Sequence, residues 1–434
     1  MLDAPMERTT EDAALALDEA DPLRGFRERF CFPEPPQGSS TRQPVYLCGN
    51  SLGLMPRATR DAVLAELDDW ARLGVEGHFK KRDGWYRYHE IVREPLARLV
   101  GARAHEVVAM NSLTVNLHLM MASFYRPTGS RRRILIDGPC FPSDVYAVAS
   151  QIRRQGGDPE RDLIRLAPRA GEHTLRTADV CAAIEQHAGE LALVLLAGVN
   201  YVTGQRMEIG PITGAARRAG VTIGWDLAHA AGNVPLSLHE WGPDFAVWCS
   251  YKYLNSGPGS VAGCFVHERH TRGAGEHAFR QMPRCEGWWG NDPDTRFAMT
   301  GEFTPVRSAD AWQLSNPPIF SLTPLKVSLG LFELATMVGL RHKSQRLTGY
   351  LESLLTPLRA RGLEIVTPSG PDHRGCQLSL LVSADGRALH RRLTESGVVC
   401  DFREPSIIRL APTPLYNSFH DCWRAAGVLR EALA

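Results

Sequence analysis

Between about residues 100 and 270 the chain repeats one pattern: a short, almost unbroken apolar run, a stretch with helical spacing, then another apolar run. RRRILID at 131–137 is followed by the helical SDVYAVASQIRRQGG, and ADVCAAIEQHAGE leads into LALVLLAGV at 191–199. PITGAARRAG at 211–220 precedes VTIGWDLAHAAG, and DFAVWCSYKYL and VAGCFVHE complete the series. Strands that are apolar along their whole length must be covered on both faces, which predicts an α/β fold with a mostly parallel sheet between helices. Ligands in such sheets collect beyond the carboxyl ends of the strands.

The flanks read differently. An acidic helix or tail runs to about residue 20, a Pro/Gly/Ser-rich connector spans Pro33 to Ser40, and a helix is expected from about Ala58 to Leu73. After about residue 320 a long helix (Thr323 to about Arg359) precedes GLEIVTP, CQLSLLV, the helix GRALHRRLTESG and SIIRLAP, a smaller α+β unit. The expected division is 1–55 as an N-terminal arm and connector belonging in part to the small domain, 56–320 as the large domain, and 321–434 as the C-terminal small domain.

An apolar fraction of 44% over 434 residues is enough for a large buried core. A formal net charge of +1 argues against a protein that coats nucleic acid or an anionic membrane. The ten cysteines are scattered singly with no C-x-x-C, so neither a zinc cage nor a dithiol pair is indicated, and a reducing compartment is expected. With no secretory signal and no apolar run long enough for a membrane span, the expectation is a soluble, cytoplasmic protein. Only five of the basic residues are lysine: Lys80, Lys81, Lys252, Lys326 and Lys343.

The chemistry concentrates in IGWDLAHAAG and DFAVWCSYKYLNSGPGS. Asp226 follows an apolar strand directly, where an unpaired carboxylate is costly, and His229 lies three residues on. Lys252 ends another apolar strand at a Gly/Ser/Pro turn, where a restrained amine can serve as a Schiff-base nucleophile. Each residue alone has an ordinary reading: a surface lysine, a turn cap, a structural histidine. Together at strand ends of one α/β domain they match the two handles that pyridoxal phosphate requires, an acid for its ring nitrogen and an amine for its aldehyde. NSLTVNLHLMMASFY at 111–125 opens a helix whose first amides and Thr114 hydroxyl offer an anion site, or an ordinary N-cap. SGPGSVAG lacks the G-x-G-x-x-G spacing, which disfavours a nicotinamide dehydrogenase.

From about residue 45 almost to the C-terminus the chain resembles the kynureninases, pyridoxal 5′-phosphate enzymes of the aspartate-aminotransferase fold (fold type I). The resemblance is carried by LCGNSLG, EGHF, NSLTVNLH, FPSD, VNYVTG, WDLAHAAGN, SYKYLNSGPG, GWWG, SNPP and IRLAPTPLYNSF. It implies that Lys252 bonds the cofactor aldehyde and that Asp226 faces the pyridine nitrogen. Leu113, through its amide, and Thr114 would hold phosphate. In FPSD, Phe141 would stack on the ring and Asp144 would lie close to it, with Pro142 and Ser143 between them. His229 would support the cofactor and Tyr251 would touch phosphate and relay protons. Trp288 and Asn316 would complete the site, in part from a partner subunit, so a homodimer with shared sites is implied. Arg409 matches the arginine that clamps the substrate carboxylate.

One departure is visible: many relatives carry Ser or Thr where this chain has Ala197, which removes a hydroxyl from the cofactor's surroundings. The implied reaction is hydrolytic cleavage of the β–γ carbon bond of kynurenine, a small amino acid, to anthranilate and alanine. His78, Ser315 and Asn316 match relatives that favour 3-hydroxykynurenine. The competing readings are another fold-type-I enzyme (a class V aminotransferase, or a desulfurase using Cys400) and a non-catalytic protein that keeps the fold.

Overall fold

The computed structural model describes residues 9–35, 43–383 and 385–434; most of the expected connector lies outside them. Seven strands build the main sheet: β1 (Val107–Ala109), β2 (Arg133–Ile136), β3 (Leu163–Arg165), β4 (Leu191–Ala197), β5 (Thr222–Asp226), β6 (Phe245–Trp248) and β7 (Gly263–Val266). Their order is β1-β7-β6-β5-β4-β2-β3. The pairs from β3 through β6 are parallel, whereas β7 runs antiparallel to both β6 and β1.

The unbroken apolar runs follow from burial on both faces. Val194 and Leu196 of β4 join Ile223, Trp225, Ala246 and Trp248 in one apolar layer. Leu193 and Leu195, pointing the other way, join Ile134, Phe245 and Val247 in the opposite layer. Fully burying a side chain of this size contributes about 1.5–3 kcal/mol, so a polar residue in these runs must be bought by function or by a partner.

Flanking helices include α1 (Glu11–Glu19), α2 (Ala58–Leu73), α3 (Leu113–Phe124), α4 (Pro142–Arg154), α5 (Ile319–Ala335), α6 (Met337–Leu355) and α7 (Phe419–Ala432). The single long helix expected from Thr323 is two helices with a bend of 80°. The break falls at Thr336, whose φ is 58° and whose Oγ1 accepts from the Gly339 amide at 3.1 Å, so it starts α6 afresh. No single helix among the described residues is long and apolar enough to cross a membrane.

The C-terminal part is an antiparallel sheet of β8 (Leu363–Ile365), β9 (Leu378–Val382), β10 (Asp401–Arg403) and β11 (Ile407–Leu410), ordered β8-β9-β11-β10. The start of the chain packs here. Val45–Tyr46 pairs in parallel with Val398–Val399, and Asp18 of α1 accepts from the amides of Phe419 and His420 at the start of α7.

Candidate active site

The carboxyl ends of the central strands converge on one pocket. Ala197 ends β4 and Asp226 ends β5 in direct register, while Asp137 follows β2 by one residue. Lys252 lies just past β6 and Leu113 just past β1. The pocket encloses about 610 Å³, its open mouth included, and is lined by Leu113, Thr114, Phe141, Ser143, Asp144, Ala197, Asp226, His229, Tyr251 and Lys252, together with Asp137, Val199, Tyr201 and Ala228.

The lysines separate cleanly. Lys80 pairs with Glu76, Lys81 with Glu66 and Asp69, Lys326 with Asp83 and Lys343 with Asp21. All five lysines are described, and Lys252 alone makes no carboxylate ion pair. Its Nζ lies 3.0 Å from Nε2 of His229. Burial first, and Lys252 second, push His229 far below its ordinary pKa. A neutral His229 accepts at Nε2 from the amine, so its proton sits on Nδ1, which is buried without a protein partner.

Opposite the amine stand the acids. Asp226 is buried, and its Oδ1 accepts from the Ala228 amide at 2.6 Å. Burial, then the neighbouring Asp226, hold the Asp144 carboxyl well above the usual carboxylate range, and its Oδ1 has no hydrogen-bond partner. Burial likewise pushes Asp137 up to about 6, although it accepts from the Ala197 amide and from Asn200 Nδ2, both at 3.2 Å. The two helix starts supply the complementary charge. α3 and α4 begin without side-chain caps at Ser112 and Phe141, Pro142 occupies the first turn of α4, and Thr114 Oγ1 lies 2.9 Å from Ser143 Oγ. Uncapped amides and two hydroxyls at helix N-termini favour an anion.

An anion end, an acid end, an amine between them and orphaned polar atoms at His229 and Asp144 fit pyridoxal 5′-phosphate. Phe141 is 41% exposed at the mouth, its ring centroid 5.8 Å from Lys252 Nζ, where it can cover a flat ring. Burial raises the Tyr251 phenol, so it carries its proton at neutral pH. Gly53 of LCGNSLG is held tightly against this loop. Its amide donates to the Tyr251 carbonyl at 2.8 Å, and a Cβ there would collide with the Lys252 carbonyl and with Asn255.

Two family profiles match the chain: "Aminotransferase class-V" over residues 45–267 and "Kynureninase C-terminal domain" over residues 340–429. A kynureninase from Salinispora tropica is 56% identical over 422 residues, covering 96% of each chain, and one from Myxococcus xanthus is 54% identical, covering 97% of this chain and 96% of its own. The chain belongs to the kynureninase family. A cysteine desulfurase from Escherichia coli shares the fold at a TM-score of 0.74 and 16% identity, covering 95% of this chain and 98% of its own. An alanine–glyoxylate aminotransferase from Nostoc sp. does so at 0.65 and 17%, with 92% and 97% covered. The fold is therefore the type I fold of pyridoxal-phosphate enzymes, and pyridoxal 5′-phosphate is the cofactor.

Six of the expected kynureninase site residues do not line this pocket: Pro142, His78, Trp288, Ser315, Asn316 and Arg409. His78 sits edge-on to Trp85, Trp288 to the exposed Phe297, and Ser315 and Asn316 are exposed. Arg409 is buried behind Tyr201, whose carbonyl accepts from its Nη1 at 2.8 Å. Asp137 and Tyr201 escaped the sequence reading. Asp137 carries the same signal as Asp226, a carboxylate directly after an apolar run, and was available to be read.

Proposed function

We propose that the chain is a kynureninase that hydrolyses the β–γ carbon bond of L-kynurenine or 3-hydroxy-L-kynurenine, consuming water and releasing the corresponding anthranilate and L-alanine. The observation that carries this reading is Lys252, the lysine without a carboxylate partner, set against a neutral histidine and facing Asp226 and Asp144. Lys252 would bond the cofactor aldehyde and Asp226 would face its ring nitrogen. The first turns of α3 and α4, with Thr114 and Ser143, would hold its phosphate. When bound, pyridoxal phosphate supplies an electron-withdrawing ring that acidifies the substrate's α and β carbons.

The chain's own groups do the rest. Lys252 takes the proton from the substrate Cα, being the amine in the pocket, and the neutral His229 leaves that amine its lone pair without competing as an acid. Arg409 binds the α-carboxylate. Tyr251, a protonated phenol on the residue before Lys252, donates to the leaving carbon. Phe141 and Tyr201 meet edge to face at 5.2 Å and close the apolar side against water.

Other readings fare worse. The desulfurases among the structural neighbours share the fold alone, and Cys400 is buried with its thiol raised by burial, unsuited to nucleophilic attack. We place the protein in the cytoplasm, which the ten cysteines, all free, support. We read it as a homodimer because Phe79, Trp288 and Phe297 stay exposed near His78 and the 285–316 segment, an aromatic surface fit for a second copy. His78, Ser315 and Asn316 then reach the partner's pocket, where polar groups favour the ring hydroxyl of 3-hydroxykynurenine.

The test is absorbance of the purified protein with added pyridoxal phosphate, then anthranilate fluorescence with each kynurenine. The expected result is a visible band and turnover of both substrates, with the higher kcat/KM for 3-hydroxykynurenine. A protein that stays colourless and inert overturns the function; a higher kcat/KM for kynurenine overturns the preference alone.

A further inference from the structure

Arg409 is held in place by the fold. It pairs in register with Asp401 across β10 and β11 and is 1% exposed. Its Nε donates to Asp401 Oδ1 at 3.1 Å and its Nη2 to Oδ2 at 2.6 Å, a bidentate pair along one edge of the guanidinium. Nη1 donates to the carbonyl of Tyr201, a residue of the cofactor pocket. Ser51 Oγ donates to Asp401 and accepts from Nη2 at 3.3 Å. Arg403 approaches the same carboxylate at 3.1 Å.

We propose that Asp401 is the positioning residue of the reaction, fixing the Arg409 guanidinium so that Nη1, the nitrogen Asp401 does not hold, meets the substrate's α-carboxylate. The proposal rests on the assignment of Arg409 as carboxylate clamp made above.

Geometry supports it first. A guanidinium presents five N–H groups in a rigid fork. Asp401 takes the side edge, Nε with Nη2, Ser51 Oγ takes the second Nη2 N–H, and Nη1 gives one N–H to the Tyr201 carbonyl and keeps the other for the substrate. An unrestrained arginine carries about 2 kcal/mol of rotamer entropy, and fixing it in the fold keeps that cost out of substrate binding.

Charge supports it second. Asp401 alone would cancel Arg409 and remove its attraction for an anion. Arg403 restores the balance: two guanidiniums share one carboxylate, so the group keeps a formal charge of +1. Its field reaches the pocket, since both arginines push His229 in the same downward direction as Lys252 does. Ser51, from the LCGNSLG segment that also carries Gly53, ties the pair to the lysine loop.

The test measures L-alanine, the product that keeps the α-carboxylate, binding to the cofactor-loaded protein by calorimetry, beside steady-state kinetics with kynurenine. Asp401→Ala is expected to raise the alanine Kd and the kynurenine KM by about tenfold or more, the scale of about 1.4 kcal/mol, while kcat stays within about threefold. Asp401→Asn keeps one acceptor oxygen and recovers part of the loss; if Asp401→Ala does not fold, it carries the test with a smaller increase. In an Arg409→Gln background, Asp401→Ala is expected to change neither constant by more than about twofold. Unchanged Kd and KM in a folded Asp401→Ala, or an equal loss with and without Arg409, overturns the proposal. A wild-type protein that binds alanine but leaves kynurenine intact faults the assigned function instead, and the alanine constants still decide the role of Asp401.

Discussion

Lys252 Nζ stands 3.0 Å from His229 Nε2, and the histidine is the neutral member of that pair. Two cations at this distance would repel strongly inside a buried pocket. Neutral His229 therefore holds the amine by accepting from it at Nε2 and brings no cation of its own to the site.

Removing the amine should end the chemistry without emptying the pocket, because the anion end and the acid end remain. Lys252→Ala is expected to lower kcat by about 10²–10⁴-fold, the range for losing a positioned acid–base group, while the protein still binds pyridoxal phosphate by equilibrium dialysis. Full turnover by the variant, followed as anthranilate fluorescence, would refute the assignment.

The second prediction uses the residues that lie outside the pocket. If Asn316 completes the partner's site, Lys252→Ala and Asn316→Ala chains that are mixed, unfolded and refolded together form heterodimers with one intact site. Activity of the mixture should rise toward about a quarter of wild type, as random pairing within a two-fold dimer gives. A mixture no better than the mean of its two components would show that each site is built from a single chain.

These two tests also mark where the sequence was legible. Asp226 and Lys252 stood out because a polar residue ending a doubly buried strand must be explained, and the apolar runs located those ends. The break at Thr336 was hidden because helical spacing continues on both sides of it. Asp401 was hidden for a different reason: its meaning lies in Arg409 and in Ser51, the latter 350 residues away, and no local pattern carries a pairing of that span. His78, Ser315 and Asn316 were expected by resemblance alone, and the pocket that this chain builds does not include them.

The buried pair between Lys343 and Asp21 should be a stability determinant. Their side chains are 4% and 2% exposed and the contact is 2.7 Å, joining the N-terminal arm to α6. Asp21→Ala strands an ammonium in the interior and is expected to cost about 3–5 kcal/mol in chemical denaturation, the usual penalty for breaking such a pair from one side. Replacing both residues with apolar ones of similar size should cost much less. Equal losses in the single and double variants would mean that the arm's packing, and not the charge, is what matters.

The last prediction concerns acid. His89 is buried among Tyr86, Arg93, Arg296 and Asp310, its Nδ1 without a partner. Burial lowers its pKa to about 4; Arg93, Arg296 and Arg87 add to that, and Asp310 opposes it. An unfolded chain binds a proton at this histidine below about 6.5, whereas the folded chain does so only near 4. The neutral state thus favours folding fully above pH 6.5, and that contribution is lost as pH falls toward 4, at about 1.4 kcal/mol per pH unit. Asp137, raised to about 6, tilts the opposite way over part of this range, so the histidine's share must be read by difference. His89→Asn should narrow the gap in unfolding free energy between pH 6.5 and pH 5 by about 1–2 kcal/mol relative to wild type. The same pH dependence in both proteins would place the acid-sensitive group elsewhere.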